Sequence, residues 1–202
     1  LTNRRQRQMC IRDSYRSKLT DLDGNGNGFN SAVMEWSLQW IPWEGRSGTP
    51  YTQEQIVQAF DLAKGLGFTM RGHSLVWGSW EWMPPDMEQN QNDPAYLQRR
   101  VDERISTILN EPRLAGQIFE WDVVNEPRFE TALGQALAGS PDFPNADAVN
   151  PYIFKAAEQA DPTMRLFIND YSILSEGGLT LGAHLRYHEI IQHIIDSEAR
   201  LD

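Results

Sequence analysis

Cysteine is nearly missing: Cys10 is the single thiol among 202 residues, which excludes an internal disulfide framework and a cysteine-held metal site. No apolar run approaches the ~20 residues that a membrane-crossing helix requires. No strand-like segment is followed by a glycine-rich phosphate turn, which weakens a nucleotide-binding fold. Positive charge is also scarce, with 18 Lys and Arg against 28 Asp and Glu and a net charge of −10. That balance argues against nucleic acid and anionic membrane surfaces as partners. It suits a protein acting on a neutral ligand. The content is otherwise that of an ordinary globular chain, 40% apolar and 23% charged. Nothing in it calls for a metal or a cofactor.

Residues 1–14 stand apart. Arg4, Arg5, Arg7 and Arg12 face Asp13 alone, the segment has no apolar periodicity, and it lacks the long apolar centre of a secretory signal. It reads as non-native or disordered and is set aside together with Cys10, leaving 15–202 as one partial domain.

From Tyr15 on, strand and helix signals alternate. Residues 30–35 form a short strand ending on Glu35. Thr52 and Gln55 make a capping box for a helix carrying Ile56, Phe60 and Ala63, closed by Gly65 and Gly67. Residues 68–77 form the second strand. Asp93 and Pro94 open a helix with Leu97, Val101, Ile105 and Ile108 on one side. Residues 117–125 form the third strand, and Asn150-Pro151 opens a helix that stops before Asp161-Pro162. Residues 165–169 form the fourth strand, and a last helix runs through Leu181, Leu185, Ile191 and Ile195. The alternation requires parallel strands with right-handed crossovers, in an open doubly wound sheet or a (β/α)8 barrel. Polar and aromatic residues end all four strands, which fits a barrel with its site spread over several strand ends. A whole barrel takes ~250 residues, so four strands make about half of one. The strands read as apolar on both sides, as in sheets covered on both faces.

The segment Trp121-Asp122-Val123-Val124-Asn125-Glu126-Pro127 carries the chemistry. Phe119, Trp121, Val123 and Val124 make a buried strand, and Pro127, without an amide hydrogen, ends its pairing, which leaves Glu126 at the tip. A carboxyl there, walled by aromatics, is placed to act as a general acid with a raised pKa. The plain alternative is a glutamate capping the next helix.

Four motifs in order, FNSAVMEWSLQW (29–40), RGHSLVW (71–77), WDVVNEP (121–127) and LFINDYSIL (166–174), resemble glycoside hydrolase family 10, the family of endo-β-1,4-xylanases. The resemblance covers about residues 15–202 and implies a partial (β/α)8 barrel, strands 2–5 with their helices, from a retaining glycosidase. It implies that Glu126 is the acid/base and that Asn125 holds the sugar 2-hydroxyl. By the same resemblance His73 and Trp77 line a sugar site, Glu35 accepts from sugar hydroxyls, and Tyr171 lines the leaving-group side. It further implies a xylan or related β-1,4-glycan substrate, a secreted or periplasmic location, and a monomer when whole. A barrel hydrolase of glucan or mannan and a non-catalytic glycan-binding barrel are the alternatives.

Three positions depart from the family's pattern. Trp36 stands where Asn is common, Gln39 where Lys is common and Gly78 where His is common, all expected on the glycone side. The family's nucleophile, a Glu two strand units after the NDY strand, has no counterpart in these residues; Glu35 and Asp170 are the other strand-end acids. A retaining pair needs carboxyls about 5–5.5 Å apart. Trp36, Trp80 and Trp82 are candidate sugar-stacking platforms, with burial as the competing explanation.

Two weaker patterns have plainer readings. Asp21-Leu22-Asp23-Gly24-Asn25-Gly26 imitates a calcium loop, but Ala32 stands where its last carboxylate belongs, so a glycine-rich turn is expected. His184, His188 and His193 miss the HExxH spacing, because Gln192 occupies the needed position, and read as solvent-facing helix residues.

Overall fold

A computed structural model describes residues 14–44, 52–173 and 181–202. Helix α1 (14–20) precedes β1 (Ser31–Val33), which is followed by α2 (Trp40–Glu44) and α3 (Gln53–Gly65). Strand β2 (Thr69–Trp77) leads to α4 (Pro85–Gln89) and α5 (Pro94–Leu109). Strand β3 (Ile118–Asn125) leads to α6 (Ala132–Leu137), a 3-10 turn (Ala146–Ala148) and α7 (Val149–Ala160), and β4 (Arg165–Asn169) leads to α8 (Leu181–Asp196). The strands pair in parallel in the order β1-β2-β3-β4. Each new strand adds on the same side, and among the described strands no reversal creates the switch point of a doubly wound sheet. The sheet is an arc of a (β/α)8 barrel.

Several starts and stops follow the sequence chemistry. The Thr52 hydroxyl accepts from Gln55 N–H and the Gln55 side chain accepts from Thr52 N–H, completing the capping box of α3. Asp93 caps α5 at Tyr96 N–H, with Pro94 in the first turn. The calcium-like stretch is a turn closed by its own contacts: Asp21 Oδ1 accepts from Gly26 N–H and Asp23 Oδ1 from Asn25 N–H.

Other expectations need correction. Helix α7 begins at Val149, because Asn145 caps a preceding 3-10 turn through Asp147 and Ala148 N–H. Strand β1 stops at Val33, so Glu35 lies in the following turn. Helices α1, α2, α4 and α6 were not anticipated; five to seven residues are too few to show a helical period. On α8 the buried residues are Ile190 and Ile194, whereas Leu185 and Ile195 are exposed. His188 is exposed as expected, but His184 and His193 are half-buried, with His184 Nε2 against Ile173 O. The Leu181 side chain and residues 1–13 lie outside the described part, so of the segment set aside only Ser14, the first residue of α1, is described.

The strands are not apolar on both sides. In register across β2, β3 and β4, Arg71 pairs with Glu120 and Glu120 with Arg165, while His73 pairs with Asp122 and Asp122 with Phe167. Arg71 Nη2 donates to Asp122 Oδ1 at 2.6 Å, Arg165 Nη1 to Glu120 Oε1 at 2.9 Å, and Arg71 lies over the Phe167 ring. Charges that read singly as interruptions of a strand become a satisfied network once three strands align. Trp121 and Val123 are buried on the alternate face, but Phe119 on that face is 52% exposed at the strand's start. Gly72 makes room for Trp121: a Cβ there would come within 2.2 Å of the indole.

Candidate active site

The C-terminal ends of β2, β3 and β4 lie side by side, with Trp77 in register with Asn125 and Asn125 with Asn169. Beyond Asn125 the chain turns. Glu126 has φ 53°, a left-handed conformation that costs a side-chain-bearing residue on the order of 1–3 kcal/mol. Its surroundings fix it there. Its N–H donates to Asn169 O at 2.7 Å, and its carbonyl accepts from Phe129 N–H at 3.1 Å and Glu130 N–H at 2.9 Å. Pro127, with no N–H to give, follows without breaking a bond.

Burial raises the Glu126 pKa, and the nearby Glu130 and Asp170 carboxylates raise it further; the Trp77 indole and His73 act in the opposite sense. Trp77 Nε1 is buried and completes no hydrogen bond, yet it favours the charged form of Glu126. The carboxyl is thus held protonated to higher pH than a free glutamate, as a proton donor requires.

Asn125 is 1% exposed, and its Oδ1 accepts from Asn169 Nδ2 at 2.6 Å, which fixes the amide's orientation. His73 is joined to Asp122: Nδ1–H donates to Oδ2 at 2.9 Å, leaving Nε2 as the ring atom available to a ligand. Burial works to raise the Asp122 pKa, but hydrogen bonds from His73 and Arg71 outweigh it and hold the group below the usual carboxylate range. Asp122 was legible as a charged residue inside an apolar strand, a position that demands partners.

The tryptophans divide. Trp77 and Trp82 stack at 4.5 Å with planes 13° apart, and Trp36 meets Trp82 edge-on at 6.0 Å. Trp80 lines a different, open depression together with Ala132 and Ala136 of α6. Gln39 is 6% exposed, and its Nε2 donates to Glu35 O at 2.8 Å, so the amide holds the turn after β1. The Glu35 side chain is exposed. Gly78 is closely approached: a Cβ there would sit 2.6 Å from Glu130 O, and Gly78 O accepts from Leu133 N–H at 2.9 Å.

On the β4 side, Tyr171 stacks on Phe129 at 4.7 Å, both rings half-exposed. Beneath them Arg128 Nε pairs with Asp170 Oδ2 at 3.1 Å, and Arg128 Nη2 donates to Tyr171 O at 2.6 Å. Asp170 is therefore occupied as an anchor for this corner. Arg128, Phe129 and Glu130 escaped the sequence reading because they follow the strand without regular spacing. Arg104 escaped it too, although it sits in the apolar stripe of α5 between Val101 and Ile108. It is fully buried and donates to the carbonyls of Leu38, Ser74 and Leu75, tying the segment after β1 to the His73 strand. Among the described residues no group of three or more His, Cys, Asp or Glu could hold a metal ion.

The sequence profile described as glycosyl hydrolase family 10 matches residues 8–194, beginning inside the segment that composition set apart. An endo-1,4-beta-xylanase of Agaricus bisporus is 30% identical over 164 residues, 79% of this chain and 46% of that protein. The anti-sigma-I factor RsgI6 of Acetivibrio thermocellus is 27% identical over 146 residues, 70% of this chain and 17% of that protein. Native xylanase10C from Cellvibrio japonicus superposes with a TM-score of 0.69 at 20% identity, over 100% of this chain and 38% of that one. The chain spans less than half the length of these relatives.

Proposed function

Because the chain belongs to glycosyl hydrolase family 10, we propose that the whole protein hydrolyses β-1,4-linked xylan with retention, Glu126 being its acid/base. Residues 15–202 supply part of the catalytic barrel. In the first step Glu126 gives its proton to the glycosidic oxygen as a carboxylate nucleophile, which lies outside these residues, bonds to the anomeric carbon and the leaving sugar departs. In the second, the Glu126 carboxylate takes a proton from water, whose oxygen displaces the nucleophile and restores it. Asn125 holds the 2-hydroxyl, a contact that strengthens as the ring gains oxocarbenium character. His73 and Trp77 contact the sugar at the cleavage point, Glu35 and Trp36 lie toward the glycone, and Tyr171 toward the leaving group. Gln39 contributes by shaping the turn that carries Glu35. We place the whole enzyme outside the cytoplasm, secreted or periplasmic, where the polymer lies, and expect it to work as a monomer.

One observation carries this reading: the carboxyl of Glu126, raised in pKa, is held in a left-handed turn beside Asn125. In the full-length enzyme Glu126→Gln should lower turnover at least ~100-fold on xylan, whose leaving group needs protonation. Glycosylation by an aryl xyloside with a good leaving group should suffer far less. Equal losses on both substrates would remove Glu126 from the role.

A second reading stands beside it because the carboxylate partner that catalysis requires is not among these residues. In it the barrel binds glycan and cleaves nothing. Xylan retention without release of reducing sugar by the full-length protein would select it.

A further inference from the structure

The loop after β2 sends its tryptophans to different places. Trp82 joins Trp77 and Trp36, whereas Trp80 forms one wall of a separate open depression of about 440 Å³. Its lining is Trp80, Gln91, Asn92, Ala132, Gln135 and Ala136, with none of the cleft residues and no ionisable group. The half-buried Trp80 packs against the core, and the loop beneath it is anchored by the buried Met83, Pro84 and Met87. The platform is thus fixed before any ligand arrives.

The chemistry of the lining selects a ligand class. An indole face offers stacking area to the C–H face of a sugar ring, and planar amides pair with vicinal hydroxyls. Gln91, Asn92 and Gln135 are exposed, and among the described residues Gln135 Nε2 alone of these amide groups has a protein partner, Thr131 Oγ1 at 2.9 Å. With no charge in the lining there is nothing to attract phosphate or a cation. Three amides around one ring disfavour a purely apolar guest. A volume of this size falls in the range of small-ligand sites.

Location ties the depression to the cleft. It is built from the segment after β2 and from α6 after β3, so it lies at the end of the sheet that carries Trp77 and Glu126. Leu133, inside α6, is bonded to Gly78 O at 2.9 Å, which fixes the two walls relative to each other.

We propose that this depression is a second glycan-binding surface, centred on Trp80, that holds an uncharged β-linked polysaccharide beside the cleft. The proposal rests on the xylan reading above for the identity of the polymer. Its bound strand is either a continuation of the chain in the cleft or a neighbouring chain of the same material.

The test uses the full-length protein in a Glu126→Gln background, so that polymer survives the assay, and measures retardation by neutral xylan in native gels. Trp80→Ala should weaken retention about ten-fold, and the triple exposed variant Gln91→Ala/Asn92→Ala/Gln135→Ala about five-fold with an unchanged unfolding midpoint. Xylotriose at the lowest concentration that saturates the triple variant, in which the depression is disabled, separates the two sources: retention that survives it comes from a neighbouring chain, and retention that it abolishes from a continuous one. Parental retention by the triple variant overturns the proposal, whatever Trp80→Ala does. Hydrolysis of xylan by the protein with Glu126 intact is read separately. A protein that cuts nothing but loses retention in the triple variant refutes the catalytic reading and upholds this site.

Discussion

Replacing Arg128 by Met probes what holds the corner under Glu126. The Arg128 and Asp170 side chains are 4% and 0% exposed, so solvent screens the pair little. Without the guanidinium, Asp170 becomes a buried carboxylate without its cation, and Tyr171 O loses a donor at 2.6 Å. Breaking a buried pair from one side costs about 3–5 kcal/mol, a large share of a total stability of ~5–15 kcal/mol. Adding Asp170→Asn should then recover about 1–3 kcal/mol. The neutral amide can still accept from Tyr171 N–H, now bonded to Asp170 Oδ1 at 2.8 Å, and needs no cation. Urea midpoints of the two singles and the double, compared at equal slope, give the cycle. A loss under about 1 kcal/mol for Arg128→Met, or a double mutant that loses the sum of the singles, would refute the argument.

Three further outcomes follow from the same end of the sheet. Glu130→Gln removes a charge that opposes ionisation of Glu126, so the Glu126 pKa falls; the proton donor must be neutral, and the alkaline limb of kcat/KM moves to lower pH. Trp77→Phe removes a group that favours the charged form, so that limb moves to higher pH; a shift of either variant against its stated direction would contradict that residue's assignment. Gln39→Lys places an ammonium where the native side chain is 6% exposed and breaks the bond to Glu35 O. It should cost on the order of 1–3 kcal/mol in urea unfolding and add no xylotriose affinity by calorimetry. Tighter binding would mean that the position faces the sugar.

What the sequence disclosed follows from the range of the forces involved. Caps at Thr52 and Asp93 act within three residues and were readable, as was the end of β3, where Pro127 has no N–H to pair. Alternation required parallel strands but left an open sheet and a barrel as alternatives, and strand order then decided against the open sheet. Arg71, Glu120, Asp122 and Arg165 looked like blemishes in apolar strands, because their partners lie up to 51 residues away and meet only in register. The helical face of α8 was misread for a related reason: its period allows several apolar stripes, and docking selects Ile190 and Ile194 over Leu185 and Ile195. Asn125 and Glu126 stand at the C-terminal end of β3, whereas His73 lies within β2 in register with Asp122. The parting of Trp80 from Trp82 depended on the path of an irregular loop, which no period encodes.

The close approach at Gly78 has a consequence for descent. A Cβ at that position would meet Glu130 O at 2.6 Å, a backbone atom that cannot rotate away, and Leu133 N–H pins the same glycine's carbonyl. The histidine common at this place in the family and the present course of 130–133 are therefore mutually exclusive. Neither can be restored alone. Any side chain at residue 78 requires the neighbouring loop to move in concert. Single substitutions that reshape this end of the sheet are open instead at Trp36 and Trp82, side chains whose rings meet edge to face at 6.0 Å.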